Sequence, residues 1–296
     1  MGKSKAELRA QESRWALPVA LASLLSVGLL GASGFVTGVS GDGDAEVLRS
    51  VEENSGAVLL GSLMQALGFA LLALPLLYLF RAARARSERV RSLLIGLVVA
   101  APLFLALASG LNGAVQREAA DEFVAGKAKP TLSQGEAKRE CRDEDDPPAD
   151  CAKTKLEDDA ASEARTEASL APLATGFGIG GALGIIAAFF YTCLWAMRTG
   201  LLSRFWGSLG MVLGIATVIG LIFFLWIWLI YLALMVVGKV PNGKPPAWEQ
   251  GEAVPWPTPG ERAAAELEPE DGWDEAEEAE EEGEPDSPRR KRKQRE

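Results

Sequence analysis

Two cysteines ten positions apart bracket a run of carboxylates, ECRDEDDPPADC, from Glu140 to Cys151. Three chemistries are open to that pattern. Cys141 and Cys151 can close a disulfide, because Pro147–Pro148 turns the chain between them and a bridge needs Cα atoms ~6 Å apart. Asp143, Glu144, Asp145, Asp146 and Asp150 can offer oxygen ligands to calcium, although they come as a block without the spaced ligands and glycine turn of a known loop. The third option is two free thiols in an acidic loop. Zinc is disfavoured, since the chain has three cysteines and no histidine. Nothing in the sequence arranges a nucleophile with a base, a metal cluster or a phosphate-binding loop, so no catalytic residue, metal or cofactor is expected.

The other candidate polar groups are Gln65 and Asn112, each inside a long apolar run. Either can hydrogen-bond a neighbouring helix, worth roughly 1 kcal/mol, or contact a substrate passing through. Pro75 and Pro102 lie in the same two runs and can kink them.

These residues must be placed by a set of uncharged stretches. Asp, Glu, Lys and Arg make up 24% of the chain yet are absent from Trp15–Gly41, Asn54–Phe80, Ser92–Gln116, Ala168–Met197 and Phe205–Gly238. Each can supply the ~20 residues that cross ~30 Å of hydrocarbon. None shows the polar stripe of a soluble amphipathic helix. The expected fold is therefore all-α, a polytopic transmembrane helix bundle with spans at 15–41, 58–80, 92–116, 170–197 and 207–238. The first span exceeds the apolar core of a cleavable signal and is read as retained. The last is long enough to be one tilted helix, the favoured reading because a lone glycine in so apolar a run more often packs against a neighbour than breaks the helix, or a hairpin turning at Gly220, which would make six spans.

Basic residues orient the bundle. Lys3, Lys5, Arg9 and Arg14 precede the first span, five arginines fill 81–91, and Arg198 and Arg204 occupy 198–206. Segment 42–57 has Arg49 alone. The positive-inside rule then puts residues 1–14 in the cytoplasm and exports 42–57 and 117–169, in the plasma membrane. An oxidising exterior favours the Cys141–Cys151 bridge.

Outside the spans, 42–57 reads as a short amphipathic helix capped by Asp44, its Val47, Leu48 and Val51 lying on the membrane surface. Segment 117–167 carries 15 acidic and nine basic residues and has two stretches of helical composition flanking the cysteines, a small helical extracytoplasmic loop. The Pro- and Trp-rich 239–270 is extended, then helical from Thr258, with Trp248 and Trp256 at the lipid interface or docked on the bundle. Residues 271–296, an acidic block then a basic one, are expected to be a disordered tail. No nucleic acid is expected to bind; the bilayer, a second copy or another membrane protein are the expected partners.

Small residues mark helix contacts. Gly176, Gly180, Gly184 and Ala188 recur every four positions, as do Gly34 and Gly38, and Gly210 and Gly214. That spacing lets backbones approach, and it makes the helix from 170 the expected centre of the bundle.

The run EASLAPLATGFGIGGALG, then LWAMRTGLLSRFWGSLGMVLGIA and GKPPAWEQGEAVPWPTPGE, resembles uncharacterised multi-pass membrane proteins of GC-rich bacteria, over residues 15–270. The resemblance implies six helices, with Phe205–Gly238 a hairpin and the Pro-Trp tail cytoplasmic, and implies no activity. The functional expectation is a non-enzymatic structural or interaction protein; the alternative is a transporter or channel-like subunit with a polar path near Gln65 and Asn112.

Overall fold

The computed structural model describes residues 4–141, 148–241 and 243–257. The described residues form helices and connectors, and the chain divides into compact units at Trp256 and Pro257. The acidic residues Asp143–Asp146 and the expected tail segments from Thr258 onward lie outside the described residues.

Among the described residues the α-helices follow in order: α1 Lys5–Val36, α2 Asp44–Glu53, α3 Ser55–Arg86, α4 Ile95–Val124, α5 Gln134–Glu140, α6 Pro148–Glu167, α7 Ala171–Arg198, α8 Arg204–Val218, α9 Ile222–Val236 and α10 Pro246–Gln250. Four segments are long and apolar enough to cross a membrane: α1, α3, α4 with its preceding 3-10 turn, and α7. α8 and α9 are 15 residues each, ~22 Å at 1.5 Å per residue.

α1 begins well before its apolar run. Ser4 accepts a hydrogen bond from the Glu7 N–H at 3.3 Å and donates its own N–H to Glu7 Oε2 at 2.9 Å, a capping box that starts the helix in polar sequence. The helix thus carries Lys5, Arg9 and Glu12 beyond its apolar part. Pro18, Pro75 and Pro102 all sit inside continuous helices.

The long helices pack in chain order, α1 on α3, α3 on α4, α4 on α7 and α7 on α8; α9 then packs on α1 and closes the ring. Leu72, Leu76, Leu79, Phe80, Ile185, Phe189, Leu225 and Trp228 are buried in one cluster along its middle. Phe189 and Trp228 meet with ring centroids 5.4 Å apart. Trp206 stacks on Tyr231 at 3.7 Å, and the buried Trp228 indole finds its acceptor in the Trp206 carbonyl at 3.1 Å.

The single helix expected over 207–238 is two helices. Gly220 has φ +86°, the left-handed region that costs any residue with a Cβ roughly 1–2 kcal/mol. Around it the Leu221 N–H donates to the Ala216 carbonyl at 2.8 Å and the Gly220 N–H to the Thr217 carbonyl at 3.4 Å. That pair of bonds is a Schellman stop. The same construction ends α7, where Gly200 has φ +76° and Leu201 donates to the Ala196 carbonyl at 2.8 Å. Gly220 therefore ends a helix, where the apolar context suggested a packing glycine.

Glycine packing also differs in detail from the four-residue frame. A Cβ on Gly184 would lie 2.8 Å from the Ala101 Cβ, and one on Gly181 2.8 Å from the Leu105 nitrogen. Ala188 is buried on the same face of α7. Gly180 touches Phe104 from the edge, whereas Gly176 meets nothing within 4 Å. The closest approach to α4 thus passes through Gly181 and Gly184, because 3.6 residues per turn shift a strict four-residue row around the helix. Gly210 and Gly214 face Cys193 and Ile186 of α7, while Gly34 and Gly38 have no neighbour within 4 Å. Gly38 lies past the end of α1 with φ +59°, so Gly34, Gly38 and Gly176 make no close helix contact within this chain.

Candidate functional site

Polar side chains gather at the two ends of the bundle. One end is a helical cap built from α2, the last turns of α4, α5 and α6. Leu48 and Val51 are buried there with Ala45, Ala119, Ala120, Ala161 and Ala164. α2 is therefore covered by α4 and α6, not laid on a membrane surface as expected. Nor does Asp44 cap it. The cap residue is Gly43, and the side-chain acceptor comes from another helix: Asp158 Oδ1 accepts the Ala45 N–H at 2.9 Å. A Cβ on Gly43 would come within 2.7 Å of that carboxylate. Asp44 instead pairs with Arg165 of α6.

Further links rigidify this layer. Asp159 accepts the Leu132 N–H at 2.8 Å and the Thr131 N–H, which holds the turn before α5. Those donors, Leu132 first, hold its carboxyl below the ordinary 3.8. Glu118 accepts the Ser169 N–H at 3.1 Å and hydroxyl at 2.8 Å. Glu52 and Asp121 share a hydrogen bond, and that bond is the main reason the Glu52 carboxyl is raised. Cys141 and Cys151 stand at disulfide distance with Cα atoms 5.9 Å apart, enclosed with Ala137, Ala152, Leu132 and Leu156.

A cleft of about 490 Å³ opens on the cap. Arg49 spans it, paired with Glu157 and lying 5.5 Å over the Phe123 ring; Lys153, Leu156 and Val124 complete the walls.

The opposite end is a basic end closed by a strap, residues 245–256. Arg86 is its centre. All five guanidinium N–H groups are used: Nε and Nη2 donate to the Ala247 carbonyl at 3.1 and 2.9 Å, Nη1 to the Ala82 carbonyl at 3.0 Å, and Nη1 and Nη2 to the two oxygens of Glu12. Its side chain is fully buried and that of Glu12 is 13% exposed. Trp248 stacks on Tyr78 at 5.4 Å, faces the Arg86 guanidinium, and donates its indole N–H to the Leu201 carbonyl at 2.9 Å. Trp256 makes the equivalent bond to Leu202 at 2.8 Å, and Val254 donates to the Thr199 carbonyl at 3.2 Å. Gly200 has no room for a Cβ because the Val254 carbonyl sits against it. Lys5 pairs with Glu252, and Arg9 donates to the Glu249 carbonyl at 3.3 Å. Of the two places open to the tail tryptophans, the structure shows Trp248 docked on the bundle.

Gln65 is half-buried and Asn112 exposed. Neither lines the cap cleft or the groove described below. Sequence reasoning missed Arg86 and Glu12. A glutamate inside a basic N-terminal segment, facing an arginine that ends an apolar run, was the available signal.

Comparison with protein families, curated proteins and solved structures finds no match for this chain.

Proposed function

We propose that the chain is a multi-pass protein of the plasma membrane that works by interaction, not catalysis, displaying a rigid cap outside the cell. In this reading α8 and α9 form a hairpin, so that residues 1–14, the connectors at 87–94 and 199–203 and the strap share the cytoplasmic face. The placement of the arginines supports that orientation. One observation carries the functional reading. The middle of the helix ring is filled by Phe80, Phe189 and Trp228, while the cap is braced by three links between α2 and α6, Ala45–Asp158, Asp44–Arg165 and Arg49–Glu157. A braced surface loses little conformational entropy when a partner docks, which favours recognition. The cleft with Arg49, Phe123 and Lys153 is the feature on that surface best suited to an acidic or aromatic contact.

The test is topology mapping in intact cells. Single cysteines replace Ser133, Ser87 or Ser203 in a cysteine-free background and meet a membrane-impermeant maleimide. Position 133 should label, while 87 and 203 should label only after permeabilisation. Labelling of 87 in intact cells overturns the orientation and, with it, the displayed cap.

A further inference from the structure

A second concavity, about 580 Å³, lies between α1 and α3 at the basic end. Each helix presents one face to it. On α3, Leu74, Leu77, Arg81 and Arg84 fall on a single stripe, and on α1, Leu8, Glu12, Trp15 and Val19 do the same. The α3 stripe changes character along its length, apolar at Leu74 and Leu77 toward the bundle middle and basic at Arg81 and Arg84 toward the end, while on α1 Trp15 and Val19 continue the apolar wall. The exposed Trp15 stands at that boundary, where an indole is favoured between hydrocarbon and water.

The charges at the rim do not cancel. Glu12 is matched by the two-oxygen pairing with Arg86. Arg81 and Arg84 are both exposed, and among the described residues neither guanidinium has a hydrogen-bonding or ion-pair partner. The groove therefore offers two free planar cations above an apolar wall, complementary to a molecule with an anionic head and an aliphatic body.

We infer that this groove binds an anionic glycerophospholipid, its phosphate held by Arg81 and Arg84 and its acyl chains lying along Val19, Leu74 and Leu77. An acidic peptide would satisfy the arginines but leave the apolar wall facing lipid without using it. The inference rests on the chain being embedded in a bilayer, and not on which of its ends is cytoplasmic.

Full-length protein in detergent is titrated with dioleoylphosphatidylglycerol or dioleoylphosphatidylcholine, and bound lipid is counted by native mass spectrometry. The anionic lipid should saturate a site that the zwitterionic lipid does not fill. Each arginine beside an anionic lipid is worth roughly a fivefold change in binding, so R81Q/R84Q should weaken it by about 25-fold. R89Q removes a charge from the connector that follows α3, outside the groove, and should leave binding unchanged. Leu74→Gln should weaken the lipid without unfolding the protein, since Leu74 is already 38% exposed. Equal binding of the two lipids, an unaffected double variant, or an equal loss in R89Q overturns the site. Full displacement by glycerol phosphate, or unchanged binding by Leu74→Gln, shows a phosphate site only and overturns the lipid assignment. None of these readings depends on the orientation tested by maleimide, so the two proposals fail separately.

Discussion

Replacing Arg86 tests the basic end most directly. Arg86→Ala strands the Glu12 carboxylate, which is 13% exposed, in a site where its partner was fully buried. It also removes both donors to the Ala247 carbonyl. Breaking one side of a buried pair costs about 3–5 kcal/mol, because the remaining charge keeps its desolvation penalty. Equilibrium unfolding in mixed micelles should show that loss. Replacing both partners by apolar groups of similar volume is often close to neutral, so E12L/R86M should recover most of the stability. Strap docking should not recover, since Ala247 still lacks its donors. Charge-assisted bonds are worth about 1.5–3 kcal/mol, so a glutamate-specific protease should cut at Glu249 and Glu252 roughly tenfold faster or more in both variants. Two results refute the reasoning: a single variant as stable as the parent, or a strap equally protected in E12L/R86M.

Four shorter predictions concern the cap and the ring. Cys141→Ser should destabilise the cap by about 2–3 kcal/mol for a loop of this size, seen as faster hydrogen exchange in Gln134–Glu140, and both thiols should resist maleimide until reduced. Asp159 should make the turn at 131–133 acid-labile. Its carboxyl is depressed by the Leu132 and Thr131 donors, so its contribution is complete above 3.8 and is lost as pH falls through the lower folded value, a dependence Asp159→Asn removes. Glu52 acts in the opposite sense: raised by its bond to Asp121, it contributes below its ordinary 4.5 and the contribution fades as pH rises through the folded value. Gly220→Ala should cost roughly 1–2 kcal/mol for its left-handed backbone, whereas Gly176→Ala, with open space around it, should leave thermal stability unchanged.

The parts legible in the sequence are those set by long averages. Uncharged runs locate the four long helices because a lipid-facing helix cannot afford a charge on any side. What escaped depends on single residues and their distant partners. Asp44 looked like a cap from local spacing, but the acceptor at that helix start is Asp158, 113 positions away. Leu48 and Val51 formed too short a stripe to reveal whether it met lipid or another helix, and α6 decides that. Gly220 was read from its apolar neighbours, while the backbone used it to stop α8. At the basic end, Trp248 stood out for lacking a local core, yet its partner Tyr78 and the Leu201 carbonyl belong to other helices. In each case the local pattern limited the choices and a tertiary contact selected among them.

The strap also imposes an order on assembly. A ribosome that has released 240 residues has delivered every helix of the ring, yet Arg86 still has two donors unspent and Gly200 lies open. The lid on these groups is translated after every helix of the ring and must fold back onto them. Until Trp248 and Trp256 reach the Leu201 and Leu202 carbonyls, this end of the bundle keeps open backbone acceptors and unshielded Arg86 donors, so its closure waits on residues that lie outside every long helix.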